Sequence, residues 1–293
     1  MEQTWTILKV IQWTSHYFAG KGIDQPRANA EVLLAHLLRM DRLQLYLHYD
    51  KPLSPQELAG YREMIRRRAS REPTQYITGT QEFWSLDLEV TPSVLIPRPE
   101  TELLVEKTLE ILGNRAGRVL DLGTGSGAIA VALAHENPSL SIVASDHSPQ
   151  ALEVARRNAI RHGVDERISF LAMDLFSALA CGREPFDCII SNPPYVGEEE
   201  FPALAPEVRQ YEPGPALLGG GSKGTDTICR ILVEAPRFMK PGGFILLEIG
   251  HGQAELLERE ISENPAFEEH HFLRDYSGIL RILQARKSER WIE

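Results

Sequence analysis

The stretch RVLDLGTGSGAIA, residues 118–130, joins a short apolar run to a glycine-rich turn and the start of an apolar helix. An apolar run that ends in glycines is typical of a buried strand. Glycines let the chain turn sharply and let main-chain N–H groups meet a ligand at the N-terminus of a helix. A tight turn without a ligand is the simpler alternative. The stretch predicts a ligand-binding turn made of Gly123, Thr124, Gly125, Ser126 and Gly127.

Strand and helix patterns alternate from this stretch to the C-terminus. Helices are predicted in TELLVEKTLEIL before the first strand, and in AIAVALAHEN and SPQALEVARRNAIRHG after the first and second strands. Such alternation indicates an α/β domain, here assigned to residues 98–293. Its seven predicted strands lie in RVLDLG, LSIVASD, ISFLAMD, FDCIISN, GGFILLEIG, EEHHFLRD and GILRILQA.

Acidic residues end the second and third predicted strands. Asp146 lies about 20 residues beyond the glycines, where a carboxylate can accept hydrogen bonds from both ribose hydroxyls of a nucleoside. Asp174 begins the sequence DLF, in which it could meet an adenine amino group while Leu175 and Phe176 form an apolar wall. Acids at two successive strand ends are the pattern of S-adenosylmethionine sites. The alternatives are a helix cap at Asp146 and a plain turn at Asp174.

The fourth predicted strand ends in NPPY, within FDCIISNPPYVGEEE at residues 186–200. A planar amide or amine carries two N–H donors, and the side-chain oxygen of Asn192 and the main-chain carbonyl of Pro193 can accept both. The ring of Tyr195 can lie against the flat group, while Pro193 and Pro194 stiffen the loop. Ligands bind outside the carboxyl ends of strands in open α/β sheets. These four residues are therefore candidate substrate-binding residues; a proline-rich turn is the alternative.

The N-terminal part of the chain has a different pattern. Residues 1–75 show apolar residues at helical spacing and predict four or five short helices, one of them capped by Ser54 with Pro55 and Glu57 in its first turn. Short alternating stretches between Gly79 and Pro92 predict a β-hairpin, assigned as a linker over residues 76–97. The sequence thus predicts a small helical domain, a hairpin and an α/β domain.

Charge is unevenly distributed over a chain of 293 residues with a formal net charge of −10. Residues 1–75 carry 11 Lys and Arg against 8 Asp and Glu, so the remainder has a net charge of −13. This acidity disfavours direct binding of nucleic acid. Arg66, Arg67 and Arg68 could bind phosphate or an acidic protein surface, although a solvated helix end is the favoured interpretation.

The lengths of the apolar runs and the number of cysteines argue against a membrane protein, a secreted protein and a zinc protein. No apolar run is long enough to span a bilayer and the N-terminus lacks the pattern of a secretory signal, so a cytoplasmic protein is expected. Three widely spaced cysteines, Cys181, Cys188 and Cys229, indicate neither a disulfide framework nor a zinc site. No metal is expected.

Four segments together resemble one family. VLIPRPETELLVEKTLEIL, DLGTGSGAIA, ISNPPYV and YEPGPALLGG follow a helical N-terminal domain in this order, as in protein-(glutamine-N5) methyltransferases of the HemK/PrmC type. The resemblance covers nearly the whole chain. It implies a class I, Rossmann-like methyltransferase domain with a mostly parallel seven-stranded sheet. The glycine run from Gly219 to Gly224 departs from the usual form of its segment.

The resemblance implies a reaction and a partner. The chain would transfer a methyl group from S-adenosyl-L-methionine, leaving S-adenosyl-L-homocysteine, to the glutamine of the GGQ motif in class I peptide chain release factors. The cofactor would meet the glycine turn, Asp146, Asp174, Leu175 and Asn192, and the catalytic residues would be Asn192, Pro193 and Tyr195. The helical domain would recognise the release factor, and a monomer is expected.

Other functions remain open at this stage. NPPY is shared with enzymes that methylate exocyclic amines of adenine or guanine in nucleic acid. Gly123, Gly125 and Ala128 also satisfy a dinucleotide-binding pattern, which would suit a nicotinamide-dependent dehydrogenase but would leave NPPY without a role. A binding module that kept only the cofactor pocket is the fourth possibility.

Overall fold

The structure, a computed structural model, describes residues 4–180 and 185–291. The chain forms two compact units. One is the helical unit, which is made of the N-terminal part of the chain as far as Thr80 and of a second, later segment, Ala205–Tyr211. The other, the sheet unit, comprises Gln81–Leu204 and Glu212–Glu293. The return of a later segment to the helical unit is a feature that the sequence did not predict.

From residue 4 onwards the helical unit contains five short helices before Thr80, within the four or five that the apolar spacing predicts. Its core is formed by side chains from all five, including Phe18, Leu33 and Tyr61. The predicted cap is present: the Ser54 hydroxyl accepts from the Glu57 main chain, and the Glu57 carboxylate accepts from the Ser54 main chain. The helices are α1 (Ile7–Gly20), α2 (Pro26–Leu38), α3 (Arg42–Leu47), α4 (Pro55–Ala69) and α5 (Thr74–Thr78).

The arginines at the end of α4 form ion pairs, although the side chain of Arg66 is 75% exposed. Arg66 pairs with Glu63, and the guanidinium of Arg67 donates to both carboxylate oxygens of Glu72 at 2.8 and 2.6 Å. Paired guanidinium groups have less charge to offer a phosphate. Arg68 contradicts the interpretation as a solvated helix end most clearly, because it is 6% exposed.

Arg68 holds the returning segment within the helical unit. Its guanidinium donates to the side-chain oxygen of Asn29 at 2.8 Å and to the carboxylate of Glu207 at 2.9 Å. Arg71 donates to the same Glu207 oxygen at 3.3 Å. Helix α9 (Pro206–Tyr211) carries Glu207, so two arginines fix this helix to the unit.

The predicted hairpin is formed by β1 (Thr80–Phe83) and β2 (Leu86–Glu89). Its two turn residues, Trp84 and Ser85, have φ values of 54° and 58°. Residues of this conformation match the twist of a two-residue hairpin. The hairpin is shorter than the predicted linker over residues 76–97, because α5 continues to Thr78.

The sheet unit is built on seven strands, as predicted. Their order is β5-β4-β3-β6-β7-β9-β8. Neighbours from β5 to β7 are parallel, and β9 is antiparallel to both β7 and β8, so the sheet is mostly parallel. The strands are β3 (Gly117–Leu122), β4 (Leu140–Asp146), β5 (Ile168–Ala172), β6 (Phe186–Ser191), β7 (Met239–Glu248), β8 (Phe267–Arg274) and β9 (Leu280–Lys287).

Successive residues of a strand point to opposite faces of the sheet and contribute to two different hydrophobic clusters. Val119 of β3 packs with the apolar α7, whereas the next residue, Leu120, packs with Ile231 of α10. Because both faces of these strands are buried, residues pointing either way are apolar, which explains the nearly continuous apolar runs of the sequence. The helices of this unit are α6 (Glu102–Leu112), α7 (Ala128–Glu136), α8 (Pro149–Arg161), α10 (Asp226–Glu234) and α11 (Ala254–Ser262).

The strand order places a switch point at the centre of the sheet. From β3 the chain proceeds to β4 and β5 on one side, and β6 then pairs with the other side of β3. The carboxyl ends of β3 and β6 carry the glycine turn and NPPY, so this arrangement brings both motifs to the same edge.

The structure bears on two features that the sequence disfavours, a membrane-spanning helix and a metal site. Within residues 4–180 and 185–291, no helix is long and apolar enough to cross a membrane, and no cluster of three metal-ligating side chains is found. Cys188 is buried and Cys229 is half-buried, both as free thiols. Cys181 lies outside the described residues.

Candidate active site

The glycine turn is held by main-chain and side-chain hydrogen bonds. The N–H groups of Gly123 and Thr124 both donate to the Ser145 carbonyl of β4 at 2.8 Å. Gly127 has a φ of +81°, and a Cβ there would lie 3.0 Å from the Cβ of Ala155 in α8. This position requires glycine on both counts, since a side chain would be strained and would collide with a packed helix.

Asp121 is a buried acid behind the turn that the sequence did not single out as functional. Its Oδ2 accepts from the Thr124 hydroxyl at 2.6 Å and from the Ala130 N–H at 3.2 Å. Its Oδ1 has no hydrogen-bond partner among the described residues. Burial raises the pKa of this carboxyl to about 7. Asp121 thus links the turn to the first residues of α7.

Asp146 lies at the end of β4 and joins two helix starts. Its Oδ2 accepts from the Gly125 N–H and its Oδ1 from the Ser148 N–H, both at 2.9 Å. The cap of α8 is Ser148, whose hydroxyl accepts from Ala151 at 3.2 Å, so the alternative role of Asp146 as the helix cap is wrong. The carboxylate of Asp146 is fixed beside the turn with capacity for further donors.

Asp174 occupies a more open position. Its side chain is 67% exposed and pairs with Arg230 at 3.1 Å. The next residue, Leu175, has a φ of 46° and is half-buried. Phe176 is not part of an open wall as expected, because it is buried and stacked on Phe238 at 4.9 Å. The acid and Leu175 line a cavity, whereas Phe176 belongs to the core.

Two cavities meet at Gly123, Asp146 and Pro194. The first has a volume of about 300 Å³ and extends from the turn to Thr101 and Asn192. The second has a volume of about 310 Å³. It extends towards Met173, Asp174, Leu175, Pro193 and Arg230. Their shared residues make them neighbouring compartments of one crevice at the carboxyl ends of β3, β4 and β6.

The side chains of NPPY are tied to a buried carboxylate. The Nδ2 of Asn192 donates to the Thr101 hydroxyl at 3.0 Å, and this hydroxyl donates to Oε2 of Glu248 at 2.7 Å. The Tyr195 hydroxyl donates to Oε1 of Glu248 at 3.2 Å. Burial raises the pKa of Glu248 to about 7. Burial and the nearby Glu248 charge raise the pKa of Tyr195. One carboxylate therefore supports both polar side chains of the motif.

The glycine run from Gly219 to Gly224 packs its main chain against NPPY. A Cβ on Gly219 would lie 2.5 Å from the Pro194 carbonyl oxygen, and one on Gly224 would lie 2.1 Å from that of Tyr195. The Val196 N–H donates to Leu217 at 2.8 Å. Contacts this close exclude any side chain, which explains the glycines at positions 219 and 224.

Glu212 fixes the IPRP segment at the rim of the first cavity. Its carboxylate accepts from the Ile96 N–H at 3.1 Å and from the Arg98 guanidinium at 2.5 Å. The neighbouring Pro97 lines this cavity, as do Pro213 and Pro215. The YEP and IPRP segments are thus joined by one buried carboxylate.

Comparison with known proteins identifies the family. The PrmC N-terminal domain family matches residues 9–79, and the methyltransferase small domain family matches residues 99–207. The release factor glutamine methyltransferase of Geobacter sulfurreducens is 47% identical over 284 residues, which are 97% of this chain and 98% of the relative. The chain belongs to the release factor glutamine methyltransferase family. The family member from Rhodopirellula baltica is 37% identical over 289 residues, 97% of each chain.

Solved structures agree with the fold of this family member. A methyltransferase from Pyrococcus furiosus superposes with a TM-score of 0.51 at 20% identity, covering 69% of this chain and 89% of that one. The hMettl16 catalytic domain, in complex with a MAT2A 3′UTR hairpin, gives a TM-score of 0.58 at 14% identity, covering 76% and 82%. At these identities the likeness shows a shared methyltransferase fold.

Sequence reasoning missed the supports of the site in this family member. Glu248 ends β7, next to Asn192, which follows β6. An acid at the carboxyl end of a central strand was the available signal, the same one that singled out Asp146. Asp121, one residue before the end of β3, gave a similar signal, and its partners Thr124 and Ala130 lie in the same stretch of sequence. Glu212 gave no such signal, because its partners become apparent only once the chain is folded.

Proposed function

We propose that this chain transfers a methyl group from S-adenosyl-L-methionine to the side-chain amide nitrogen, N5, of the glutamine in the GGQ motif of class I peptide chain release factors. The observation that carries the proposal is the commitment of the Asn192 amide nitrogen to Thr101. The Asn192 oxygen is then the group that remains to accept a hydrogen bond from an incoming amide at the rim of the crevice. Family membership supports the choice of acceptor.

The residues of the crevice suit S-adenosylmethionine. An added Cβ on Gly123 or Gly125 would meet open space, so the turn presents bare main chain to a ligand. Asp146 can accept from ribose hydroxyls, Asp174 and Leu175 line the compartment suited to the adenine, and Asn192 lines the compartment suited to the methionine part. Thr124, Ser126 and Gly127 complete the turn. When bound, the group supplies a methyl carbon made electrophilic by a sulfonium.

The acceptor needs positioning because its nitrogen is a weak nucleophile. The lone pair of a glutamine amide nitrogen is delocalised into the carbonyl. Asn192 and the Pro193 carbonyl would accept its two N–H bonds and direct the nitrogen, while Tyr195 packs against the amide plane. Pro194 helps to keep the loop rigid. Positioning of this kind can remove about 7–11 kcal/mol from a barrier.

The direct test uses labelled S-adenosylmethionine and a purified release factor. We expect one methyl group on the intact factor and none on a factor whose GGQ glutamine is replaced by alanine. Label that persists on the replaced factor would reject this glutamine as the acceptor. A factor with another glutamine replaced serves as the control and should be methylated normally.

Methylation of adenine or guanine amines is the second candidate. The hMettl16 catalytic domain shares the fold and was solved in complex with a MAT2A 3′UTR hairpin, but the net charge of −13 outside residues 1–75 disfavours a polyanion here. Incubation with DNA and ribosomal RNA should give no product. Methylated nucleic acid at a rate comparable to that on the release factor would reverse this choice.

The helical domain, assigned to residues 1–75, is proposed to recognise the release factor away from the reacting glutamine. One flat side chain cannot select a single protein, so contacts elsewhere must contribute. Residues 76–97 would serve as the linker and residues 98–293 as the catalytic domain. We further propose that the enzyme acts in the cytoplasm as a monomer, without a metal or direct nucleic acid binding.

A further inference from the structure

The Asn192 carboxamide has two orientations of nearly equal shape. One presents the oxygen to the acceptor and the other presents the NH2 group. An acceptor amide that offers N–H donors can bind only to the first orientation. An acceptor site that uses the Asn192 side chain therefore needs neighbouring groups that select one of these orientations.

Thr101 and Glu248 form such a device. Above its pKa of about 7 the Glu248 carboxyl is ionised and only accepts hydrogen bonds, so the Thr101 hydroxyl, 2.7 Å away, donates its one proton to it. The Thr101 oxygen is then left as an acceptor. Its neighbour at 3.0 Å must be the NH2 group of Asn192. The reversed amide would place two oxygen lone pairs against each other.

Burial makes this selection strong. Thr101 is 4% exposed and Glu248 is 1% exposed, so water has little access to replace a lost partner. A hydrogen bond in a poorly hydrated site is electrostatically stronger than one in water, and an unpaired group there is costly. Glu248 also accepts from the Tyr195 hydroxyl at 3.2 Å, so it fixes the ring that flanks the same acceptor.

We propose that Glu248, acting through Thr101, is a positioning residue that holds the Asn192 amide with its oxygen towards the substrate glutamine. The chain of contacts runs from the end of β7 through the 3-10 turn before α6 to the loop after β6. Neither Thr101 nor Glu248 needs to touch the reacting nitrogen. This inference rests on the proposed function.

The test compares Thr101→Val with Thr101→Ser in the full-length enzyme, using single-turnover methylation of a release factor. Valine keeps the volume but removes the hydroxyl, and we expect the rate constant to fall about 10- to 100-fold because the amide is misoriented. Serine retains the hydroxyl and should restore the rate to within about threefold of the unchanged enzyme. Thr108→Val is the matched control, since Thr108 is also buried on α6 and donates to the Leu104 carbonyl at 2.7 Å but lines neither cavity. This variant should leave the rate constant unchanged.

A double-mutant cycle separates positioning from a general structural effect. In an Asn192→Ala background, Thr101→Val should add less than about a twofold loss, because its effect passes through the missing amide. The same fold loss in both backgrounds would overturn the proposal. So would a Thr101→Val enzyme with full activity.

An independent readout is the NMR signal of the Asn192 side-chain NH2, assigned by its loss in Asn192→Ala. Its hydrogen exchange should be slow in the unchanged enzyme and in Thr101→Ser, and fast in Thr101→Val. Equal exchange rates in all three would contradict the proposal even if activity were too low to measure. If the unchanged enzyme failed to methylate the glutamine while exchange behaved as expected, the proposed function would fail instead.

Discussion

The cofactor turn and the acceptor clamp lie at neighbouring strand ends but are built differently. Thr124 and Gly125 of the turn bond to acids only 3 and 21 positions away. Asn192 and Tyr195 of the clamp bond to partners 91 and 53 positions away. The turn is therefore specified by one continuous stretch of sequence, whereas the clamp depends on tertiary structure to orient its groups.

The Asn192→Ala substitution should distinguish the two regions most clearly, because it should affect methyl transfer much more than cofactor binding. We expect the rate of methyl transfer to fall about 10³-fold or more, because the acceptor nitrogen loses its direction. Binding of S-adenosylmethionine, measured by calorimetry, should change only a few-fold, because the turn is intact. An unchanged rate would favour a binding-only module, and a loss of cofactor binding would show that the two regions cannot be separated.

Burial of Glu248 predicts a pH dependence of stability. Its pKa of about 7 in the folded chain exceeds the ordinary 4.5, so the folded state binds this proton more tightly than the unfolded state. Stability from this group is full below about pH 4.5, declines as the pH rises towards 7 and is constant above it. Arg281 opposes the raised pKa, whereas Glu100 adds to it.

Denaturant unfolding of the unchanged enzyme and Glu248→Gln between pH 5 and 8 checks this expectation. The stability of the unchanged enzyme relative to the variant should fall by an amount on the order of 3 kcal/mol as the pH rises. A difference that is flat with pH, or that grows in the opposite direction, would contradict a buried Glu248 with a raised pKa.

The glycine support of the clamp is tested by Gly224→Ala. Gly224 and Gly252 both have positive φ, at +70° and +80°, but only Gly224 has a main-chain atom within 4 Å of an added Cβ. Both variants carry backbone strain, and Gly224→Ala should cost about 2 kcal/mol more because it displaces the Tyr195 carbonyl. Equal free energies of unfolding would show that the loop can move away freely.

The same contrast explains what the sequence could predict. Apolar periodicity and the positions of glycine and proline predicted the seven strands, four or five N-terminal helices and the Ser54 cap, because these depend on local chain properties. The role of Arg68 was misjudged, since its partner Glu207 lies 139 positions away. Glu212 was overlooked for the same reason, whereas Glu248 was overlooked although its position at a strand end was a usable signal.

The smallest expected effect concerns the edge of the cofactor region. Asp174→Ala should weaken S-adenosylmethionine binding by about fivefold, since an exposed acid contributes about 1 kcal/mol at most. Glu234→Ala is the control, because Glu234 also lies near Arg230, at 4.0 Å, but does not line the crevice. Equal affinity in both variants would remove Asp174 from the cofactor site.

The most direct measurement is mass spectrometry of a class I release factor after reaction with this enzyme and S-adenosylmethionine. The account predicts one added methyl group, located by fragmentation on the side chain of the GGQ glutamine, and no addition with the Asn192→Ala enzyme. A methyl group on any other residue, or an unmodified factor in the presence of bound cofactor, would contradict it.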